Sequence, residues 1–155
     1  MSERTFIDTN IWVYVVDRAD ARKQAVARGV LEPSVDKDFV ISAQVLGEFF
    51  TVVTGKLAHT VSIEDGRAMV SRMVELPVVP IDAQLVTDAI AAAEQWAISY
   101  WDALIVAAAR VAGCRVLLSE DLTHGVVYGS IRVENPFLAG DPGAAPRDAP
   151  AEDAR

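Results

Sequence analysis

The chain has 155 residues, 52% of them hydrophobic, with a mean hydropathy of +0.25, which suits one domain that buries a core without disulfide or metal staples. Its net charge of −8, from 22 acids against 14 bases, argues against broad non-specific binding to nucleic acid, which runs on phosphate neutralisation. It does not exclude a nucleic-acid enzyme whose bound cations cancel charge at one site, and it favours a basic partner.

Met1-Ser2-Glu3-Arg4 leads straight into an apolar strand, Arg4-Thr5-Phe6-Ile7, so no signal peptide is expected. No apolar run approaches the roughly 20 residues that span a bilayer. The expected location is the cytoplasm, without a membrane. Asp8-Thr9-Asn10 forms the carboxyl-end turn of the strand, with Asp8 or Asn10 as N-cap of a helix through Ile11 to Val16. Asp20 caps a helix to about Leu31, and Glu32-Pro33-Ser34 breaks it. Phe39-Val40-Ile41 reads as a second strand. Ser42 caps a helix from Ala43 to about Val53, ending before Gly55. Ser62 opens a helix to about Glu75, and Val78-Val79-Pro80 is a third strand. Asp82 opens an Ala-rich helix to about Ala97, and Trp101 to Ala112 forms another, closed by Gly113. Cys114, the single cysteine, reads as a small buried hydrophobe and fits a reducing compartment. Arg115 to Leu118 and Ile131-Arg132-Val133 are the fourth and fifth strands. Ala139 to Arg155, rich in Ala, Pro, Gly and Asp, reads as a disordered polar tail after a domain spanning 1–138.

Short apolar strands alternating with helices specify an α/β fold with a mainly parallel, five-stranded sheet. In such sheets ligands bind outside the carboxyl ends of the strands. Four acids sit at or near those ends, each beside apolar neighbours: Asp8 after the first strand, Glu48 in the helix after the second, Asp102 in the helix before the fourth, and Asp121 just after the fourth. A carboxylate close to a core is costly unless paired, hydrogen-bonded or bound to a cation. No Lys or Arg accompanies any of the four segments, which points to a hard divalent metal held by oxygen.

Bland readings compete. Asp8 and Asp121 could be helix or turn caps, with Ser119 and Glu120 rivals for the second role. Glu48 could be a solvated stripe residue, although Val45, Leu46, Phe49, Phe50 and Val52 around it favour a protein-lined cleft. Asp102 could be a cap. His59 and His124 read as surface loop residues without partners at metal-ligand spacing, so zinc is not expected. Trp12, Trp96 and Trp101 read as core residues. There is no GxGxxG or Walker motif.

The set Phe6-Ile7-Asp8-Thr9-Asn10, Glu48, Ser99-Tyr100-Trp101-Asp102-Ala103-Leu104-Ile105-Val106-Ala107-Ala108-Ala109 and Leu117-Leu118-Ser119-Glu120-Asp121 resembles the PIN-domain family, especially the VapC-type toxins of toxin–antitoxin pairs. The segment Gly129 to Phe137 resembles that family's last strand. The resemblance covers about residues 4 to 138. It implies a magnesium- or manganese-dependent ribonuclease, a three-layer α/β/α sandwich and a homodimer. Carried over by position, the acidic quartet is Asp8, Glu48, Asp102 and Asp121, with Asn10 and Ser119 orienting the acids or a water. Asp8 and Asp102 are the expected direct ligands, Glu48 a ligand or water-orienting base, and Asp121 an outer ligand, with Glu120 its rival. The implied substrate is a structured RNA. The implied partner is a small antitoxin with a basic region that reaches the acidic pocket.

Arg22, Lys23, Arg28, Lys56, Arg67 and Arg72 are scattered candidates for tracking RNA. An RNA-processing nuclease without an antitoxin is the alternative. A haloacid-dehalogenase-like phosphatase would need an acid where Asn10 stands and a late lysine. The lysines here are Lys23, Lys37 and Lys56 only. A phospho-receiver would need paired acids and the same late lysine.

Overall fold

The computed structural model of the chain describes residues 2–138. The tail expected at 139–155 lies outside the described residues. In chain order the elements are β1 (Arg4–Ile7), α1 (Thr9–Val16), α2 (Ala21–Leu31), β2 (Asp38–Ser42), α3 (Ala43–Gly55), α4 (Ile63–Met73), β3 (Val78–Val79), α5 (Ala83–Trp96), α6 (Tyr100–Val111), β4 (Val116–Leu118), β5 (Val127–Tyr128) and β6 (Ile131–Glu134). A 3-10 turn at Pro136–Leu138 follows.

Each helix opens on an Asp or Ser whose side chain accepts a backbone N–H of the first turn: Asp8, Asp20, Ser42, Ser62, Asp82 and Ser99. Such caps satisfy donors that the helix leaves orphaned, at about 1 kcal/mol each. They fix where each helix leaves its preceding strand or loop, and thereby where the site residues fall. The last long helix ends as expected at Gly113, whose φ of +73° suits a residue without a Cβ.

The strands form one sheet in the order β3-β2-β1-β4-β6-β5. All neighbours are parallel except β5 with β6. Consecutive residues on β1 and β2, Phe6 and Ile7, then Val40 and Ile41, are all buried. Side chains alternate between faces along a strand, so both faces of the sheet are covered. The helices fall into two packed groups, α1 to α4 and α5 with α6. Ala89 and Ala92 of α5 and Ala103, Ala107, Ala108 and Ala109 of α6 are buried small residues that let those two helices approach closely. The architecture is the α/β sandwich expected.

Five details differ from the sequence reading. The sheet has six strands, because Val127–Tyr128 folds back on Ile131 through a Gly129-Ser130 turn. Helix α3 runs through Gly55 instead of ending before it. Helix α4 stops at Met73, short of Glu75, and α6 begins at Tyr100 under a Ser99 cap. Trp101 is 63% exposed and is not a core residue, because the first turn of α6 turns it away from the buried run that starts at Ala103.

Candidate active site

The site grows from the place where the sheet's connections change direction. From β1 the chain proceeds to β2 on one side, and it returns later to β4 on the other. The crevice outside the carboxyl ends of two such strands is where open α/β sheets bind ligands. Ile7 pairs with Leu118, and the next residues on each strand are Asp8 and Ser119. The Asp8 N–H donates to the Leu118 carbonyl at 3.0 Å, so the ladder continues to the first site residue.

Asp8 is 4% exposed, and its carboxylate is held on both oxygens. Oδ1 accepts the Thr9 N–H at 2.7 Å. Oδ2 accepts the Ser119 hydroxyl at 2.7 Å and the Asn10 amide at 3.3 Å. Ser119 is wholly buried, and its oxygen also accepts the N–H groups of Asp121 and Leu122 at 3.1 and 3.4 Å. The hydroxyl proton is therefore committed to Asp8. Burial pushes the Asp8 carboxyl up to about 7. The bonds from Ser119 and Thr9 oppose that rise, and the charges of Asp121 and Glu48 add to it.

Asn10 joins a second acid to the first. Its Nδ2 donates to Asp121 Oδ2 at 3.1 Å, and its Oδ1 accepts the Glu120 N–H at 3.1 Å. Glu120 instead forms an ion pair with Lys23, which also donates to the Tyr14 hydroxyl at 3.2 Å. The neighbouring acids thus part company, Asp121 toward Asp8 and Glu120 toward a lysine.

Glu48 enters from α3. Thr9 donates its hydroxyl to Oε2 at 2.6 Å, and Gln44, one turn earlier on the same helix, donates to Oε1 at 2.8 Å. The same Gln44 nitrogen reaches the Trp101 carbonyl at 3.2 Å, next to Asp102. Both partners are pure acceptors, which fixes the amide orientation and leaves the buried Gln44 Oε1 without a donor. Asp102 lies in the first turn of α6, and its N–H is the one that the Ser99 cap receives, at 3.1 Å. Partial burial raises its pKa; the Ser99 bond opposes this, and the charges of Asp121 and Glu48 add to it.

The structure therefore places Asp8, Asn10, Ser119 and Asp121 in one hydrogen-bonded group and joins Glu48 to it through Thr9. Asp102 connects only through the Trp101 backbone and through its electrostatic coupling. Among the described residues, none of the four acids pairs with a Lys, Arg or His. Nor do three Asp, Glu, His or Cys groups there lie close enough together to form a ready-made metal cage. Thr9 and Gln44 were not singled out from sequence. Thr9 sits between two site residues, and Gln44 lies four residues before Glu48, the spacing that puts side chains together on a helix.

Glu48 and Asp121 open into a cleft of about 720 Å³ between α1 and α3, together with Thr9, Asn10, Tyr14, Gly47 and Lys56. A second hollow of about 650 Å³, lined by Trp12, Phe39, Phe49 and Met69 among others, holds none of the four acids. His124 is a loop residue whose Nδ1 accepts the Asn135 N–H at 3.0 Å. Cys114 is buried, and burial pushes its thiol up to about 11, as suits an inert core thiol. No helix is long and apolar enough to cross a membrane among the described residues.

Comparison with known proteins bears on the fold and the family. No curated protein matches the sequence. Among solved structures, the chain is similar to a toxin–antitoxin complex from Klebsiella pneumoniae, with 19% identity and a TM-score of 0.62 over 85% of this chain and 97% of that one. It is similar to DNA-bound VapBC from Salmonella typhimurium, with 20% identity and a TM-score of 0.60 over 88% and 99%. It is also similar to VapC20 of Mycobacterium tuberculosis, a toxin that cleaves the sarcin–ricin loop, with 23% identity and a TM-score of 0.54 over 76% and 91%. At these identities the likeness establishes a shared fold. The model of the PIN domain matches residues 5–128, which include all four acids, and the chain belongs to the PIN domain family.

Proposed function

We propose that this chain is a divalent-metal-dependent endoribonuclease and the toxin of a toxin–antitoxin pair, acting in the cytoplasm. The observation that carries the reading is the hydrogen-bonded group of Asp8, Asn10, Ser119 and Asp121 beyond the ends of β1 and β4, to which Thr9 joins Glu48, with no Lys, Arg or His paired to any of the four acids among the described residues. Four such carboxylates repel one another and an RNA backbone alike. Support for the toxin role comes from neighbours solved as toxin–antitoxin complexes.

The donor set fits magnesium or manganese. It is all oxygen, it lacks thiolate and imidazole, and its most buried member is held out of its ordinary ionisation range by burial that a cation would offset. Asp8 and Asp102 would hold the ion directly, with Glu48 and Asp121 completing the set. When bound, the metal supplies charge relief at the phosphodiester and an activated water.

The chain's own residues supply orientation. Ser119 and Thr9 lock the Asp8 carboxylate in one rotamer. Thr9 and Gln44 hold the two oxygens of Glu48, which fixes its carboxylate at the cleft wall. Asn10 sets the spacing of Asp8 and Asp121. Preorganised groups of this kind need no rearrangement as charge develops on the phosphate. A homodimer and a small antitoxin whose basic region enters the acidic cleft complete the reading.

Expression in a bacterial host tests it. Wild type is expected to arrest growth and to leave cut RNA, and Asp8→Ala to do neither. Arrest that persists unchanged in Asp8→Ala contradicts the nuclease reading.

A further inference from the structure

Gly47 stands in the middle of α3, where glycine is a poor helix residue because it loses the most backbone freedom on folding. Packing does not require it. Apart from its chain neighbours and its own helix backbone, a Cβ built at Gly47 meets no atom within 4 Å among the described residues, whereas at Gly66 it would lie 2.8 Å from Thr54 Cγ2, so that α4 needs its glycine to sit against α3. Gly29 in α2 is equally open, so openness alone carries nothing. Gly47 differs because it precedes Glu48 and lines the acidic cleft.

The wall that α3 offers to that cleft is Gly47, Glu48, Thr51, Val52 and Lys56. The Thr51 hydroxyl donates to the Gly47 carbonyl at 2.9 Å, and Gly47 itself adds no side chain to the wall. Among the described residues Lys56 is the single Lys or Arg lining the cleft, and its side chain makes no hydrogen bond or ion pair there. It lies eight residues beyond Glu48, about 12 Å along the helix axis. Gly47 and Glu48 thus stand toward one end of this wall and Lys56 at the other, in a cleft that Asp17, Glu120 and Asp121 also line.

We propose that the α3 face bared at Gly47 seats the RNA backbone beside the scissile bond, with Lys56 holding a neighbouring phosphate. The inference rests on the nuclease reading above. It explains how an acidic protein grips a polyanion: one placed cation and close backbone approach replace a broad basic surface.

The test compares Gly47→Ala, Gly47→Leu, Lys56→Ala and the control Gly29→Ala with wild type. The probe is an oligoribonucleotide copied from the first cut mapped in total bacterial RNA, with manganese present. Gly47→Ala and Gly29→Ala should each raise the melting temperature by about 3 °C, through helix propensity. Gly47→Leu should raise the half-saturating RNA concentration about ten-fold or more, the loss of one close contact, while the rate at saturation changes little. Gly29→Ala should leave both unchanged. Lys56→Ala should weaken binding and lower the salt slope by about 1. If Gly47→Leu fails to fold, Gly47→Ala decides: an unchanged half-saturating concentration in that stabilised variant overturns the proposal. If wild type leaves all RNA intact, the nuclease reading falls and takes this inference with it. If wild type cuts and Gly47→Leu saturates like wild type, only this inference falls.

Discussion

Asn10 and Asp121 are 111 positions apart in sequence, yet the Asn10 amide donates to the Asp121 carboxylate at 3.1 Å while also reaching Asp8 at 3.3 Å. One neutral donor spaces two anions that would otherwise repel, and its oxygen is anchored by the Glu120 N–H. Replacing the donor with an acceptor should break this arrangement. Asn10→Asp is expected to lose most RNA cleavage and to bind manganese with altered affinity, while Asn10→Ala loses about 10- to 100-fold, the usual range for a residue that orients ligands. Cleavage rates and calorimetric metal titration of both variants check this. Wild-type values in Asn10→Asp would remove Asn10 from the site.

Glu120 and Asp121 were rivals for the fourth acidic position. The Lys23 ion pair and the Tyr14 hydroxyl occupy Glu120, whereas Asp121 is joined to Asn10, although both acids line the cleft. Glu120→Gln is therefore expected to retain cleavage and to lose about 1 kcal/mol of stability, in keeping with a partly exposed pair. Asp121→Asn is expected to keep its fold and lose cleavage. The reverse pattern in a paired activity and urea-unfolding experiment would reassign the fourth acid.

The raised pKa of Asp8 makes metal-free stability depend on pH. Its folded value of about 7 lies above the ordinary 3.8, so between those limits the native state binds the proton more tightly than the unfolded chain. The contribution is complete below pH 3.8 and is lost as pH rises through 7, to an extent on the order of 4 kcal/mol. Asp102, also raised, adds in the same direction. Urea unfolding of metal-free protein from pH 4 to 8 should show a falling component that Asp8→Asn removes. Saturating manganese should flatten the fall, because metal binds the deprotonated carboxylates. A metal-free profile in Asp8→Asn that matches wild type would contradict this account.

Much of this was legible in sequence because caps and strand ends are local. Asp20, Ser42, Ser62 and Asp82 announce their helices, and the apolar strand before Asp8 announces a buried carboxylate. The β5 strand was missed because two residues carry no periodicity, although Gly129-Ser130 between Tyr128 and Ile131 is a two-residue hairpin signal. Trp101 was misread because aromatic character does not say which side of a helix's first turn meets the core. The bridging role of Gln44 depends on α3 meeting the start of α6, a long-range contact that no local pattern encodes.

The central claim is that the four acids act together as one metal-dependent centre that cuts RNA. Its most direct test is cleavage of total bacterial RNA by purified protein in manganese and in EDTA, for wild type and for Asp8→Ala, Glu48→Ala, Asp102→Ala and Asp121→Ala, each shown by melting to be folded. The account predicts discrete fragments from wild type in manganese, none in EDTA, and loss of most cleavage in every variant. Undiminished cutting in EDTA, or wild-type cutting by Asp102→Ala, whose tie to the rest of the site is the most indirect, would contradict it.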